Sequence, residues 1–324
     1  MKKYIKNIVK SITFFGVLVV LLLVLSYVFM PKNNDDAYGG HHQLNANGIF
    51  GEADNSIDVL VIGDSESYTS IVPLELWHNY GYTTYICGTS GQLLYDTYDY
   101  LIKALQNQKP KVVIMETNAI YRKVRADKAL NSWAKKTFSV FKYHNRFKKL
   151  TKDDFLSRRK NTWVDDYKGF ELNDKVDSLD KVHDYMKYTD EHEEINSLNM
   201  RYLNKIVEKC QENNIKLVFV SAPSVKNWSY KRHNGVYDYA RKNNIDFIDL
   251  NLKQEEINID WHTDTRDKGD HLNYWGALKA TEYMGNYLSD LDILKDRRND
   301  KIAEKWNQSY NRYQKRVSKF NRNV

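Results

Sequence analysis

The sequence predicts an α/β protein, a three-layer α/β/α sandwich around a parallel five-stranded sheet, with one transmembrane helix before it. The chain has 324 residues, of which 42% are hydrophobic, so it can bury a sizeable core. From Ile57 onward, short apolar runs alternate with segments of helical periodicity, which is typical of a parallel sheet covered by helices on both faces. An uninterrupted apolar run near the N-terminus accounts for the transmembrane helix.

This apolar run covers residues 12–30 (ITFFGVLVVLLLVLSYVFM), and its only polar members are Thr13, Ser26 and Tyr27. At about 1.5 Å per residue, a helix of this length spans roughly the hydrocarbon core of a bilayer. Lysines crowd its N-terminal flank, so we expect residues 1–32 to form a cytoplasmic basic flank and an anchor at the cell membrane, with the main domain outside. The alternative is a cleaved signal peptide, but the run is long and its exit lacks the small residues of a cleavage site.

The remaining chain divides into a tether, a domain and a tail. Residues 33–55 are polar without periodicity, which predicts a tether, and its His41-His42 pair favours solvation over metal binding. The domain, residues 56–294, has predicted strands over residues 57–62, 83–87, 111–115, 215–221 and 246–250. Its helices are predicted over residues 73–80, 92–106, 195–212, 236–242 and 274–288, and residues 295–324 form a basic helical tail.

Residues 122–194 interrupt the alternation of strands and helices. They are rich in charged and aromatic residues and contain no clear strand. A long excursion between two strands of a sheet is more often a lid or a binding insertion than an inert loop. The alternative is an ordered helical decoration without a role.

The charge distribution disfavours a nucleic-acid partner. Residues 1–32 contribute +5 and residues 295–324 contribute +7, whereas residues 33–294 carry −5. A nucleic-acid-binding protein is expected to carry its basic charge on the folded domain. The two cysteines, Cys87 and Cys210, exclude a disulfide-dense scaffold and a multi-cysteine metal site, and we expect no cofactor.

Two segments carry candidate catalytic residues. Gly63-Asp64-Ser65 ends the first predicted strand, where a nucleophilic serine would project into the active-site crevice. His271 lies directly before the last predicted helix and is the candidate base. A neighbouring acid can hold its ring tautomer; Asp267, one turn earlier, is favoured narrowly over Asp270, which as an adjacent residue points away in extended chain.

Each of these segments also has an alternative interpretation. Gly-Asp-Ser is an ordinary turn sequence, and the loop around His271 could be a solvated acidic loop whose Asn273 caps the following helix. A metal site is a further alternative, with possible ligands from His262, Asp264, Asp267, Asp270 and His271. Their spacing matches no specific ligand signature, so we expect no metal.

In these residues the chain resembles the SGNH, or GDSL-like, hydrolases and acyltransferases, whose fold is a flavodoxin-like three-layer sandwich. The first motif of that family is matched by Gly63, Asp64 and Ser65, and Gly91 is similar to its second-motif glycine. Asn118 matches the asparagine after the third strand, although the usual neighbouring glycine and aspartate are absent. The resemblance implies an oxyanion hole formed by the Ser65 and Gly91 amides and the Asn118 side chain.

The last motif of the family is usually Asp-x-x-His, and here the chain departs from it. Lys268 stands three residues before His271, so the resemblance leaves the choice between Asp267 and Asp270 open. The four motifs nevertheless occur in the family order and on the expected elements between residues 57 and 288. This joint match is much more specific than any single motif.

The whole layout looks like the DltD-like and alginate-acetylation-like proteins, which combine an anchor, an external SGNH-like domain and a His-Leu-Asn-x-x-Gly-Ala pattern, here His271 to Ala277. That resemblance implies a serine O-acyltransferase or esterase that acts on a cell-envelope polymer, such as an exopolysaccharide or teichoic acid, beside a membrane-bound O-acyltransferase. The alternative function is a non-catalytic assembly factor that keeps the fold and recruits that acyltransferase.

Overall fold

The computed structural model describes residues 2–35, 40–124 and 126–320, which form two compact units. The anchor unit comprises Met1–Tyr38 and Val124–Thr162, and the sheet unit comprises Gly39–Lys123 and Trp163–Val324. The predicted insertion, residues 122–194, is therefore divided between the two units. Within the described residues, its first part is mainly helical and neither part contains a strand.

The sheet unit contains the five predicted strands in one parallel sheet of order β2-β1-β3-β4-β5. The strands are β1 Val59–Gly63, β2 Thr84–Gly88, β3 Val112–Glu116, β4 Lys216–Ser221 and β5 Asp246–Asp249. This order is that of flavodoxin-like doubly wound sheets, so the predicted α/β fold class is confirmed. Every residue of the first three strands is buried, which explains why they read as continuous apolar runs.

The helices of both units, in chain order, are α1 Lys2–Phe29, α2 His41–Asn47, α3 Ser65–Ser70, α4 Pro73–Tyr80, α5 Leu94–Ala104, α6 Ala126–Thr137, α7 Val140–Tyr143, α8 Lys152–Leu156, α9 Ser197–Glu212, α10 Tyr230–Lys242, α11 Gln254–Ile257, α12 Tyr274–Asp290 and α13 Ala303–Val317. In the sheet unit, α5 packs with α9, whereas α4 packs with α12 and α13. Right-handed crossovers place these two groups on opposite faces of the sheet.

The strand order sets the position of the site. The chain leaves β1 towards β2 on one side, and it returns past β1 to β3 on the other side. In such sheets a crevice opens at the carboxyl ends of the strands where the direction reverses. Ser65 follows β1 and Asn118 follows β3, so the two predicted site residues flank this crevice.

The structure differs from the predicted tether over residues 41–51. These residues form α2 and a 3₁₀ turn, Gly48–Gly51, and they pack beside β2. Ala46 and Ile49 are fully buried, and the Tyr85 hydroxyl donates a hydrogen bond to the carbonyl oxygen of Asn45 (2.8 Å). The buried face consists of too few apolar residues to show a period, so the polar composition of the segment was misleading. Residues 36–39 of the predicted tether lie outside the described residues.

The C-terminal tail contains helix α13, which packs on α4. Trp306 is buried with its ring centroid 5.4 Å from that of Trp77, and Tyr313 is fully buried. The aromatic residues of the tail therefore belong to the core of the sheet unit. Residues 321–324 lie outside the described part of the chain.

In the anchor unit, α1 is long and apolar enough to cross a membrane, as an anchor or as a signal sequence would. Its C-terminal end is packed by residues of the 124–162 segment. The Tyr27 hydroxyl donates to the carbonyl oxygen of Ser157 (3.0 Å), and Arg146 donates to that of Phe29 (2.7 Å).

Candidate active site

Ser65 is the first residue of α3, which follows β1 closely, and Ser65 is only 6% exposed. Asp64 caps this helix, since its Oδ1 accepts a hydrogen bond from the backbone N–H of Glu66 (3.1 Å). Gly63 is required for the close approach of β1 to β3, because a Cβ atom there would lie 2.6 Å from that of Glu116. The Ser65 N–H has no partner inside the helix because it occupies the first helical position.

His271 is held by Asp267 through two hydrogen bonds. The His271 Nδ1 atom donates to Asp267 Oδ2 (2.6 Å), and its backbone N–H donates to Asp267 Oδ1 (2.7 Å). The connecting loop turns back sharply because Lys268 and Gly269 both have positive φ angles, 61° and 80°. This geometry gives Asp267 the position that orients a catalytic imidazole.

Asp270, the other candidate acid, has a different partner. Its Oδ2 atom lies 4.0 Å from His271 Nδ1, and its Oδ1 atom accepts a short hydrogen bond from the Asn227 side chain. Asn273 caps α12, as one alternative interpretation proposed, by accepting from the backbone N–H groups of Trp275 (3.0 Å) and Gly276 (3.2 Å). The cap and the Asp267–His271 pair therefore coexist in one loop.

The second part of the insertion, residues 163–194, is hydrogen-bonded to this loop. Asp177 donates to the carbonyl oxygen of Thr265 (3.0 Å) and accepts from the N–H of Lys268 (2.9 Å). The N–H of Tyr274, at the start of α12, donates to the carbonyl oxygen of Asn173 (2.7 Å). These backbone contacts fix the segment that carries Asp267 and His271.

The other ring nitrogen of His271 is free. Its Nε2 atom is buried and makes no hydrogen bond to any described residue, the Ser65 hydroxyl included. Burial lowers the pKa of His271, but the hydrogen bond to Asp267 and the charges of Glu66, Asp267 and Asp270 outweigh burial and raise that pKa. The protonated form of the His271 ring is therefore stabilised.

Glu66, which follows the candidate nucleophile, is 1% exposed and faces the same region. Its Oε1 atom accepts a hydrogen bond from Asn227 (2.8 Å), whereas Oε2 has no partner among the described residues. One carboxylate oxygen of Glu66 lies within 4.8 Å of a ring nitrogen of His271. Burial raises the pKa of Glu66 to about 8, although the charge of His271 opposes this shift.

Asn118 and Gly91, the predicted oxyanion-hole residues, line one cleft of about 270 Å³. The Asn118 side-chain nitrogen donates to Asp64 Oδ2 (2.9 Å), and its second hydrogen is available because an amide nitrogen has two. Gly91 has a φ of 62°, which a glycine adopts without strain. Ser65 and His271 do not line this cleft directly, but Asn227 does, and it connects Glu66 to Asp270.

The cleft is polar and cationic. Its lining includes the side chains of Arg122, Lys123 and Arg232, along with Leu93 and Tyr121. Arg122 donates a short hydrogen bond to the buried Asp64, and Arg232 pairs with Glu193 (3.0 Å). Burial and the charges of Asp64 and Glu66 hold the pKa of the Glu116 carboxyl group well above its usual range.

Five of these groups were not predicted from the sequence: Glu66, Glu116, Arg122, Asn227 and Arg232. Two of them carried a usable signal. Glu66 is adjacent to the candidate nucleophile, and Asn227 lies in the loop after β4, at the edge of the sheet where functional groups collect.

The five residues of the alternative metal site do not form one cluster: Asp267, Asp270 and His271 lie close together, but His262 and Asp264 have other partners. His262 is exposed beside Asp180 (3.9 Å), and Asp264 is buried against Lys279 (2.6 Å). Two other groups bring possible ligand atoms within 4.8 Å of one another, namely His41, His42 and Glu171, and Glu66, Asp270 and His271. In each group a carboxylate is already engaged, Glu171 by Arg266 and Asp270 by Asn227, and we assign neither group to a metal.

Comparisons with known proteins place few constraints on this site. No family model matches the chain, and no curated protein matches it significantly. Among solved structures, the chain is similar to the lipase/acylhydrolase from Enterococcus faecalis, with 12% identity over 72% of this chain and 96% of that chain, and a TM-score of 0.40. It is also similar to the acetyl xylan esterase AlAXEase, with 17% identity over 73% of this chain and 100% of that chain, and a TM-score of 0.39. The similarity to the esterase EstA from Pseudoalteromonas sp. has 11% identity over 72% of this chain and 97% of that chain, and a TM-score of 0.39.

Proposed function

We propose that this chain is a serine-dependent carboxylic-ester hydrolase or O-acyltransferase of the SGNH type. One observation carries the proposal. Asp267 holds His271 by Nδ1, the opposite nitrogen is buried and free, and Ser65 begins a helix whose second residue approaches that ring. Nucleophilic acyl transfer requires an oriented base with an unoccupied nitrogen and a serine nucleophile, and the approach of Glu66 to the ring supports the assignment of both groups to one site.

In the proposed reaction, the Ser65 hydroxyl attacks the carbonyl carbon of an acyl donor and its proton passes to His271 Nε2. Asp267 stabilises the imidazolium, and the Ser65 and Gly91 amides with the Asn118 side chain bind the oxyanion. The imidazolium then returns the proton to the leaving oxygen, which leaves an acyl-enzyme. Attack by water makes the protein an esterase, and attack by a sugar or polyol hydroxyl makes it a transferase.

The proposed substrate is a hydrophilic polymer of the cell envelope, such as an exopolysaccharide or a teichoic acid, that carries acetyl or D-alanyl groups. The polar lining of the cleft, which includes Lys123 and the paired side chains of Arg122 and Arg232, supports a hydrophilic substrate over a lipid ester. A membrane-bound O-acyltransferase is the proposed partner that supplies or receives the acyl group.

The proposed location is the cell membrane, with α1 retained as the anchor and the sheet unit outside. Ser26 and Val28 are buried within the anchor unit, and Tyr27 contacts Ser157, so the end of α1 contributes to a folded structure. A removable signal peptide would not be expected to do so. N-terminal sequencing of the mature protein tests this point, and a mature N-terminus between residues 27 and 45 contradicts it.

The decisive experiment compares Ser65→Ala with Ser70→Ala in the full-length chain. Ser65→Ala should reduce kcat on a water-soluble ester by about 10⁴-fold or more, because no acyl-enzyme can form. Ser70 is the matched control: it lies on the same helix, and its buried hydroxyl has no hydrogen-bond partner. Complementation of a deletion strain, with acylation of envelope polymers as readout, then separates transferase from esterase.

The alternative function, a non-catalytic assembly factor, is favoured by one observation. His271 Nε2 and the Ser65 hydroxyl make no hydrogen bond, so the catalytic groups are not engaged in this structure. The two functions differ in one outcome. If the Ser65→Ala protein restores normal polymer acylation at normal protein level, the catalytic proposal is wrong and the assembly factor replaces it.

A further inference from the structure

The 124–162 segment of the anchor unit exposes an unusual number of large apolar side chains. Among the described residues, six are exposed in this short segment, whereas only five are exposed in the much larger sheet unit. The six are Leu130, Trp133, Phe141, Phe147, Phe155 and Leu156, with exposures between 43% and 80%. Apolar surface at this density indicates a binding face, because soluble surfaces rarely keep such patches.

The same segment is strongly basic. Residues 124–162 contain twelve lysines and arginines against three aspartates, which gives a net charge of +9. Residues 33–294 as a whole carry −5, because the other residues of that range are strongly acidic and outweigh the positive charge of this segment. Exposed aromatic and aliphatic side chains among lysines are the composition of segments that lie at the surface of an anionic bilayer.

The segment is also attached to the end of the apolar helix. Val140 donates its N–H to the hydroxyl of Ser26 (3.3 Å), and Lys160 donates its N–H to the carbonyl oxygen of Lys32 (2.9 Å). The hydrogen bonds of Tyr27 and Phe29 described above involve the same end of α1. Helices α7 and α8 therefore pack on the last turns of α1, where the chain would leave the hydrocarbon core.

We propose that the 124–162 segment is a membrane-interface collar, which inserts its exposed apolar side chains between the headgroups of an anionic bilayer around the end of α1. The proposal rests on α1 being the retained anchor. The occupant is lipid because the segment that carries the exposed apolar side chains packs on the apolar helix and because the +9 charge complements anionic headgroups.

Helix α6 provides a test within a single helix. Leu130 and Trp133 are three residues apart and share one side, whereas Asn131 and Lys135 lie on the other side. A nitroxide label can be attached through Leu130→Cys, with Asn131→Cys as the matched control on the opposite side. Cys87 and Cys210 are buried, so labelling is confined to the introduced thiol.

The experiment uses the full-length chain in nanodiscs of phosphatidylcholine and phosphatidylglycerol, and it measures collision of the label with oxygen and with a water-soluble nickel chelate. Labels introduced by Leu130→Cys and Leu156→Cys should collide severalfold more with oxygen than with the chelate, at a depth just below the phosphates. The label introduced by Asn131→Cys should show the reverse. Equal chelate access at positions 130 and 131 overturns the proposal and leaves a protein partner as the occupant of the face.

Two further arms separate the causes of failure. A label introduced by Val24→Cys reports whether α1 itself is in lipid, so that a failed anchor is distinguished from a failed collar. Replacing phosphatidylglycerol by phosphatidylcholine should reduce the depth of the label introduced by Leu130→Cys, because the lysines lose their counter-charge. A depth that is unchanged in neutral nanodiscs overturns the electrostatic part of the proposal.

Discussion

The two units differ in which side chains they expose and bury against the usual preference. The anchor unit leaves Leu130, Trp133 and Leu156 exposed, whereas the sheet unit buries Asp64, Glu66 and Glu116, all at most 3% exposed. Both choices cost free energy of folding, since exposed apolar surface costs about 25 cal/mol per Å² and buried carboxyl groups lose their hydration. The exposed side chains belong to the face that we propose to meet a bilayer, and the buried carboxyl groups belong to the proposed catalytic site.

The largest expected effect concerns which of two partly exposed acids, Asp267 or Asp270, orients the base. Asp267→Asn should reduce kcat by about 10³–10⁴-fold, because asparagine can present its N–H to Nδ1 and favour the wrong tautomer. Asp270→Asn should reduce kcat by less than about tenfold, since Asp270 accepts from Asn227 instead. Steady-state kinetics on a water-soluble ester measure both values. Equal losses in the two variants would contradict the assignment of Asp267.

A comparison of two tryptophans tests the difference between the units directly. Trp306→Ala should lower the free energy of unfolding by about 3–5 kcal/mol, because Trp306 is buried beside Trp77. Trp133→Ala should change it by no more than about 0.5 kcal/mol in detergent, because this side chain is 60% exposed. Thermal unfolding followed by circular dichroism provides both measurements. A large loss for Trp133→Ala would mean that the residue packs against protein.

The pH dependence should identify the role of Glu66. His271 must be neutral to accept the serine proton, so activity should rise as the pH passes its raised pKa. Glu66 carries its negative charge mainly above its raised pKa of about 8, so Glu66→Gln removes charge within 4.8 Å of the ring mainly in that range. The pKa of His271 should fall where the two titrations overlap, and the acidic limb of the kcat/KM profile should therefore move to lower pH.

The matched control for this charge change is Glu304→Gln on α13, where the glutamate is exposed and bonded only to Gln308. The acidic limb of the kcat/KM profile of Glu304→Gln should coincide with that of the unmodified protein. Asp64, Glu116, Arg122 and Asp270 also face Glu66 and remain unchanged in both variants. An unmoved limb in folded Glu66→Gln would show that Glu66 is structural only.

The smallest effect is expected at the exposed face of the anchor unit. Leu156→Ser should leave kcat on a water-soluble ester unchanged and should alter the free energy of unfolding by less than about 0.5 kcal/mol. The reason is that Leu156 is 80% exposed and belongs to the anchor unit rather than to the sheet unit. Reduced turnover of the soluble ester would indicate that the segment contributes to catalysis.

The sequence predicted most of the fold because the strands are continuous apolar runs. All five strands begin and end within two residues of the predicted positions, and α4 lies over residues 73–80 as predicted. The start of α10 was placed six residues late, because its first turn is polar and is marked only by the Ser229 cap. Helix α3 was not predicted, since its serines, threonine and glutamate are polar although every one is buried.

The candidate site was predictable only where residues are close in sequence. Asp267 and His271 are four residues apart, so their pairing could be anticipated from local geometry. Glu66 and Asn227 are 161 residues apart, and only the fold brings them together. The insertion was treated as one segment, although its first half is basic with exposed aromatic residues and its second half is bonded to the site loop.

The pairing of β3 with β4 has a consequence for biosynthesis. These strands are neighbours at the centre of the sheet, yet about 100 residues separate Glu116 from Lys216 in the chain. At about 5–20 residues per second, a ribosome needs roughly 5–20 s to deliver the partner of β3. During that interval Val112–Glu116 has an unpaired apolar edge, which can associate with other nascent chains. Synthesis of the basic 124–162 segment falls within this interval.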